Sequence, residues 1–270
     1  RRSSDLSALV ECVPNFSEGR DQGKIAQITD TIQAVKDITL LDVDSGQDTN
    51  RTVVTFVGPL EAVEEAAFKG IQKAAEVIDM RRQKGAHPRM GATDVCPFVP
   101  ISNVTIEDCV ELTKRVGHRV GKELGIPVYL YEYSAQKKER KNLPDIREGE
   151  YEALPKKLQK PEWKPDFGPA KFNSRAGATV IGCREFLIAY NINLNTRDTR
   201  LATDIAFELR EKGRSKRIPP PVSKNLLDGE IVRNKDGSPV KQNGKFKDVK
   251  AIGWYMDIYN RAQISINFNN

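Results

Sequence analysis

From Leu9 to Tyr133 the sequence repeatedly changes its hydrophobic period, and that alternation constrains the fold more than any single residue does. Leu9–Ser17 alternates well enough to be a first strand. Gln22–Val35 then sets Ile25, Ile28, Ile32 and Val35 at helical spacing on one face. Two β-branched runs, Ile38–Val43 and Thr52–Val57, flank the polar stretch DSGQDTNR. Residues 59–79 open with Pro59 in a first turn and carry Ala and Glu freely, which predicts a long helix. A strand is expected over Val95–Ile101. A helix follows, opened by Thr105 with Asp108 three residues on, a capping box with Asp in the usual Glu/Gln place, and stopped at Gly125. Val128–Tyr133 reads as a strand. The order β-α-β-β-α-β-α-β predicts a mixed sheet covered by helices.

The pattern changes after residue 133. Prolines at 144, 155, 161, 165 and 169 break residues 134–176 into a polar, basic stretch, read as a structured linker or edge-wrapping segment. Thr179–Cys183 and Phe186–Leu194 read as a hairpin turning at Arg184-Glu185, followed by a helix over about Thr196–Lys212. Residues 213–250, with Asp236-Gly237 and Asn243-Gly244, read as a basic loop or exposed hairpin. Ala251–Tyr259 and Gln263–Asn269 form a last strand pair. The expected organisation is α/β (α+β) with two subdomains, 1–178 and 179–270. One helix leaves a face of the second sheet open, so the natural chain is expected to continue past Asn270.

Composition bounds the partners. With 39% hydrophobic residues and 19 glycines in 270 positions, the chain has enough apolar material for a core. The longest apolar run, Phe186–Tyr190, is far shorter than the ~18 residues of a membrane span. No apolar segment follows Arg1 and Arg2, so a cytoplasmic protein is expected. The net charge of +6 raises the question of a nucleic-acid partner. Leu209–Lys250 alone holds 12 Lys/Arg against 5 Asp/Glu, so the excess is a local feature. No zinc finger, helix-turn-helix or RNA-binding aromatic motif accompanies it, and nucleic-acid binding is not expected. Cys12, Cys96, Cys109 and Cys183 lack close spacing and read as reduced, buried thiols; Cys96, with no base nearby in sequence, is a weak nucleophile candidate. With only His87 and His118 besides, no metal site is expected.

Three segments can carry chemistry. In KGAHPRMGATD (84–94), Pro88 disfavours helical geometry for His87, which is displayed from an extended backbone. Arg82, Lys84 and Arg89 favour its neutral, proton-accepting form. The competing reading is a surface-loop histidine without a role. His118, inside a helix, reads as a solvated face residue. In DVDSGQDTNRT (42–52), Asp42 and Asp44 are expected to point to opposite faces, one toward a cleft and one capping the turn. Asn50 and Arg51 supply an amide and a guanidinium suited to a carboxylate. An Asp-rich turn is the plain alternative. In DFGPAKFNSRAGAT (166–179), two glycines bracket a polar strip that suits a ligand with a planar ring and an acidic tail, or an inter-domain linker. The phosphate-loop patterns GxGxxG and GxxxxGK[ST] are absent.

Taken together, LVECVPNFSEGR (9–20), LLDVDSG with TNRTVVTFVG (40–58), KGAHPRMGATDVCPFVP (84–100) and FGPAKFNSRAGATV (167–180) resemble the glutamate formiminotransferase family. In animals the same domain forms the front half of a bifunctional formiminotransferase-cyclodeaminase. The resemblance runs from about Leu9 through Asn269. It implies two α/β subdomains, each a mixed sheet with helices on its outer face, the sheets facing each other across a folate tunnel. It implies transfer of a formimino group from N-formimino-L-glutamate to tetrahydrofolate in histidine degradation. Tetrahydrofolate is then a co-substrate, polyglutamylated forms included, and a homodimer is expected. By the same resemblance His87 is the catalytic histidine. The folate-binding stretch is Gly168, Pro169, Ala170, Lys171, Phe172, Asn173, Ser174, Arg175, Ala176 and Gly177. Asp44 is an orienter of the imidazole or of the substrate amine, and Arg51, Arg89 or Arg175 would bind substrate carboxylates. An N-formylglutamate-using formyltransferase with the same folate site is the alternative. The tract 213–250 is expected to be longer than in the animal proteins, with an extra hairpin-like insertion.

Overall fold

The computed structural model describes residues 8–223 and 225–269, which divide into two units, the first ending at Arg184 and the second beginning at Glu185. In chain order the first unit holds β1 (Leu9–Cys12), β2 (Asn15–Phe16), α1 (Gln22–Gln33), β3 (Thr39–Gly46), β4 (Arg51–Gly58), α2 (Leu60–Val77) and β5 (Thr93–Ser102). It continues through α3 (Ile106–Glu123), β6 (Val128–Glu132), α4 (Leu143–Arg147), α5 (Glu150–Lys157) and β7 (Thr179–Cys183). β1 and β2 each pair with both β4 and β5; Pro14, which has no N–H to give, separates them into two pieces of one central strand. β3 pairs with β4 at one edge, while β5, β7 and β6 run parallel on the other side.

Both faces of this sheet are packed. Alternate strand residues such as Phe56, Cys96, Phe98, Leu130 and Ile181 join α1, α2 and α3 in one large core. Their neighbours Val95, Tyr129, Tyr131 and Val180 point the other way and meet Ile146, Leu154 and Leu158. Residues 134–176 are therefore a second layer rather than a linker. Arg140, only 1% exposed, pins this layer: its guanidinium pairs with Asp166 at 2.9 Å and donates to the Glu162 and Lys164 carbonyls at 2.7 Å. At α3 the expected capping box is present, with the Asp108 N–H donating to Thr105 Oγ1 and the Thr105 N–H donating to Asp108 Oδ2.

Two further expectations are corrected. Thr179–Cys183 and the following strand are not a hairpin. β7 lies between β5 and β6, whereas the next strand, β8 (Leu187–Asn193), joins the second unit's sheet. The largely apolar TVIGC, buried at every position, suits a strand with both faces covered, which a two-strand hairpin does not provide. Asp42 and Asp44 do not face opposite ways either. They are two residues apart, with the register irregularity lying before Asp42, so the pleat puts both on one face.

The second unit contains β8, α6 (Thr199–Leu209), β9 (Arg214–Ser215), β10 (Arg217–Ile218), β11 (Glu230–Ile231), β12 (Lys241–Gln242), β13 (Val249–Met256) and β14 (Arg261–Asn269). β13, β14 and β8 form a three-stranded antiparallel sheet, and α6 packs Ala202 and Ala206 against Val249, Ala251, Ile264 and Ile266. The basic tract folds into the short pairs β9–β12 and β10–β11. Part of its charge is internal: Arg214 is 5% exposed and pairs with Asp204 and Glu208. Among the described residues no helix is long and apolar enough to cross a membrane.

Candidate active site

The segment between α2 and β5 has no regular secondary structure over residues 80–90, so its shape depends on hydrogen bonds to the turn after β3. The Ala86 N–H donates to the Asp48 carbonyl at 3.0 Å, Asn50 Nδ2 to the Lys84 carbonyl at 2.9 Å, and Gln83 Nε2 to the Asn50 carbonyl at 2.9 Å. Asn50 stands at φ 48°, a left-handed conformation that Asn tolerates better than most residues. Its Oδ1 also accepts the Gly19 N–H at 3.0 Å. The contact is so close that a Cβ on Gly85 would fall 2.2 Å from the Thr49 carbonyl oxygen. These straps fix the backbone leading into His87.

The surroundings of His87 are cationic and partly closed. Burial first, then the charges of Arg51 and Arg147, push its pKa down to about 2, so the imidazole is neutral at pH 7. Arg51, at the start of β4, donates through Nη1 to Asn15 Oδ1 at 2.7 Å. Burial and the like charge of Arg147 bring its own pKa to about 10, with Asp94 and Asp44 acting the other way. Arg147, the last residue of α4, pairs through Nη2 with Asp94 Oδ2. Asp94 is 1% exposed and its Oδ1 accepts the Met90 N–H at 2.9 Å. The Nε atoms of Arg51 and Arg147 are both shielded from solvent and have no acceptor among the described residues.

Of the site residues anticipated from sequence, His87 and Arg51 share this neighbourhood, and Asp44, exposed on β3, contributes its charge to Arg51. Arg89 does not serve as a free cation. It is 8% exposed and held by Glu150 at 3.0 Å, Glu152 at 2.7 Å and Gln83 Oε1 at 2.8 Å. Arg175 caps the last turn of α2, donating to the Ala75 and Glu76 carbonyls. His118 is exposed on α3, edge-on to Phe167 with ring centres 6.1 Å apart. All four cysteines are free and buried, Cys12 and Cys96 with their sulfurs 3.5 Å apart; Cys96 is therefore inaccessible as a nucleophile.

The stretch from Gly168 to Gly177 divides in two. Gly168, Pro169, Ala170 and Lys171 are exposed; Gly168 sits at φ 80°, where an added Cβ would lie 2.4 Å from the Ile126 carbonyl oxygen. Phe172 packs on Tyr151 with ring centres 5.3 Å apart, and the Tyr151 hydroxyl donates to the Ser174 carbonyl at 2.6 Å. Asn173 closes the turn, its Oδ1 accepting the Ala176 N–H at 2.9 Å and its carbonyl the Gly177 N–H at 2.7 Å. Ala176 and Gly177 are buried and laddered to the His87 segment, with the Ala92 N–H on the Ala176 carbonyl at 2.8 Å and the Ala178 N–H on the Met90 carbonyl at 3.1 Å. The histidine loop and this stretch therefore share one hydrogen-bonded frame.

Arg147, Asp94 and Asn15 are the residues that sequence reasoning missed. Asp94 stood at the end of a quoted motif, but Arg147 sits in an ordinary charged stretch, DIREGE, 53 positions away, with nothing local to single it out.

Comparison with known proteins shows the family of the chain. Residues 9–184 match the N-terminal subdomain of the formiminotransferase domain, and residues 189–270 match the formiminotransferase domain. The chain is 50% identical over 262 residues to formimidoyltransferase-cyclodeaminase of Gallus gallus, covering 97% of this chain and 44% of that protein. It is 40% identical over 265 residues to glutamate formimidoyltransferase of Streptococcus pyogenes serotype M1, covering 98% of this chain and 79% of that protein. To the enzyme of the same name from Thermoplasma acidophilum it is 42% identical over 265 residues, covering 97% and 77%. The chain thus spans less than half the length of the bifunctional relatives it matches.

Proposed function

This chain belongs to the formiminotransferase domain family, and from that premise we propose that it moves the formimino group of N-formimino-L-glutamate to tetrahydrofolate. The products are 5-formiminotetrahydrofolate and L-glutamate. The observation that carries the reading is a neutral imidazole, His87, strapped in place beside two guanidiniums on the same frame as the 168–177 stretch. The two strong motifs anticipated from sequence are thereby joined at one place, and the chemistry they supply is complementary.

In the reaction, N5 of tetrahydrofolate attacks the formimino carbon and a tetrahedral intermediate forms. His87 accepts the proton released from N5 and returns one to the departing glutamate nitrogen. A proton shuttle of this kind contributes about 10²–10⁴ in rate, and holding the two substrates in register contributes more. The exposed Gly168–Lys171 strip and Phe172 supply a backbone and an aromatic surface for a pterin-bearing ligand, while Arg51 meets a carboxylate. No step draws on a metal. The folate is a co-substrate, and the enzyme acts as a cytoplasmic one-carbon transferase without a nucleic-acid partner. The same site would take a formyl donor; no feature of it favours N-formylglutamate over the formimino compound.

The test is His87→Ala. Formimino transfer is expected to disappear while the dissociation constant for folinic acid stays within several-fold. Retention of more than about a tenth of wild-type turnover removes His87 from the mechanism. Assaying both donors with the wild-type protein decides between formimino and formyl transfer.

A further inference from the structure

The charges of two arginines act on His87, and among the described residues each keeps donors unspent. An arginine carries five N–H donors. Among the described residues Arg51 spends Nη1 on Asn15, Arg147 spends Nη2 on Asp94, and the Nε of each has no acceptor. Each guanidinium also lies in the other's field, since Arg147 acts on Arg51 and both act on His87. Against these two cations there is one buried carboxylate, Asp94; Asp44 is exposed on β3. Arg147 keeps 15% of its side chain open to solvent, so the residue is not sealed inside the fold. Paired like charges with unspent donors are a costly arrangement for a protein to hold alone, and a bound anion removes the cost.

The position of Arg147 is also rigidly set. Lys157, 7% exposed, donates to the Ile146 carbonyl at 2.5 Å and the Glu148 carbonyl at 3.1 Å, bracketing the Arg147 backbone. Its ammonium lies 3.9 Å from the centre of the Trp163 ring, which closes the bracket from behind. Asp94 fixes the other end of the side chain while its second oxygen holds the His87 segment through Met90. One carboxylate therefore couples the guanidinium to the backbone that carries the histidine.

We propose that Arg147, oriented by Asp94, is a substrate-binding residue that works with Arg51 to hold a carboxylate of the amino-acid donor beside His87. The identity of the anion rests on the function proposed above; the presence of an anion site does not. The proposal has a consequence for the base: a carboxylate seated on the two guanidiniums cancels the positive field at His87, so the imidazole gains basicity when the donor is bound.

The experiment uses the full chain and the variants Arg147→Gln and Arg147→Lys. For Arg147→Gln, KM for formiminoglutamate is expected to rise at least tenfold, with KM for tetrahydrofolate within about twofold; Arg147→Lys, which keeps the charge but loses the fork, should fall between. Direct titration with L-glutamate, read by the two histidine imidazole signals, separates the proposal from the reading under it. In wild type, L-glutamate should raise the His87 pKa and leave the resonance positions of exposed His118 at neutral pH unchanged; in Arg147→Gln it should bind at least tenfold more weakly. Wild-type turnover with a donor KM unchanged within threefold in Arg147→Gln overturns the role of Arg147. If Arg147→Gln does not fold, Arg147→Lys decides, and a wild-type donor KM there overturns it equally. Absence of formiminoglutamate turnover in wild type, with L-glutamate binding that still depends on Arg147, overturns the function and leaves the anion site standing.

Discussion

His87 has its pKa lowered from an ordinary 6.5 to about 2, and this displacement has a thermodynamic signature besides a catalytic one. The unfolded chain takes up a proton at this residue below about pH 6.5, and the folded chain does not. Stability from this group is therefore complete above pH 6.5 and is lost as the pH falls toward 2. Replacing His87 by Gln should flatten the acid side of a stability-against-pH curve, by a slope approaching about 1.4 kcal/mol per pH unit. Urea titrations at pH 7, 6, 5 and 4 measure it, and an unchanged slope would mean that the ring is hydrated in the folded state. A neighbouring site tests the frame: Gly177 sits at φ 72°, and a Cβ there would fall 2.1 Å from the Met90 carbonyl oxygen. Gly177→Ala should cost at least about 1–3 kcal/mol and slow turnover by misplacing the His87 segment.

Among the elements, the segment between β6 and β7 departs furthest from its sequence appearance. Its prolines and charges suggest a structured linker or an edge-wrapping segment rather than core, yet Ile146, Leu154 and Leu158 cover one sheet face. The anchors are a buried ion pair and stacked cations: Arg140 meets Asp166 at 2.9 Å, with the Tyr129 ring 5.0 Å away. Asp166 is only 8% exposed on its side chain, so removing Arg140 strands a carboxylate that water barely reaches. Arg140→Met is expected to cost about 3–5 kcal/mol. Arg89→Met should cost less, because Glu150 and Glu152 are 40% and 64% exposed and rehydrate readily. Thermal melts of the two variants side by side check the ranking; equal losses would show that burial of the partner does not set the cost. By contrast α1, α2 and α3, with strong 3.6-residue periodicity, lie within two residues or so of where the pattern put them.

At the scale of the whole molecule, the two units carry separate cores of unequal size. The first has clusters on both faces of a seven-stranded sheet, and the second has one cluster under a single helix. Small cores leave little stability after conformational entropy is met. The four cysteines all lie in the first unit, and of the two tryptophans Trp254 alone lies in the second. In a Trp163→Phe variant, Trp254 fluorescence should change at lower urea than the exposure of thiols to an aromatic disulfide reagent. Coincident transitions would show that the units unfold as one. The basic tract belongs to the second unit, where Arg200, Arg214 and Lys245 each meet a carboxylate. Such internal pairing offsets part of the local positive charge.

The sequence by itself determined the alternation of strands and helices, the capping of α3, the buried state of the four thiols, and His87 as the residue to watch. These are local properties: a period, a box whose ends are three residues apart, a histidine followed by a proline. Tertiary structure alone decided that β7 belongs with β5 and β6, since a run of apolar residues states that it is covered but not by what. It decided that Arg89 and Arg175 are engaged by carboxylates and carbonyls while Arg51 keeps its buried Nε without an acceptor among the described residues, because a guanidinium's availability depends on which acceptors the fold brings to it. It also brought Arg147 to Asp94 across 53 positions. A charge pair at that separation leaves no periodic trace in the chain, so it becomes visible only when the sheet and the layer behind it are assembled.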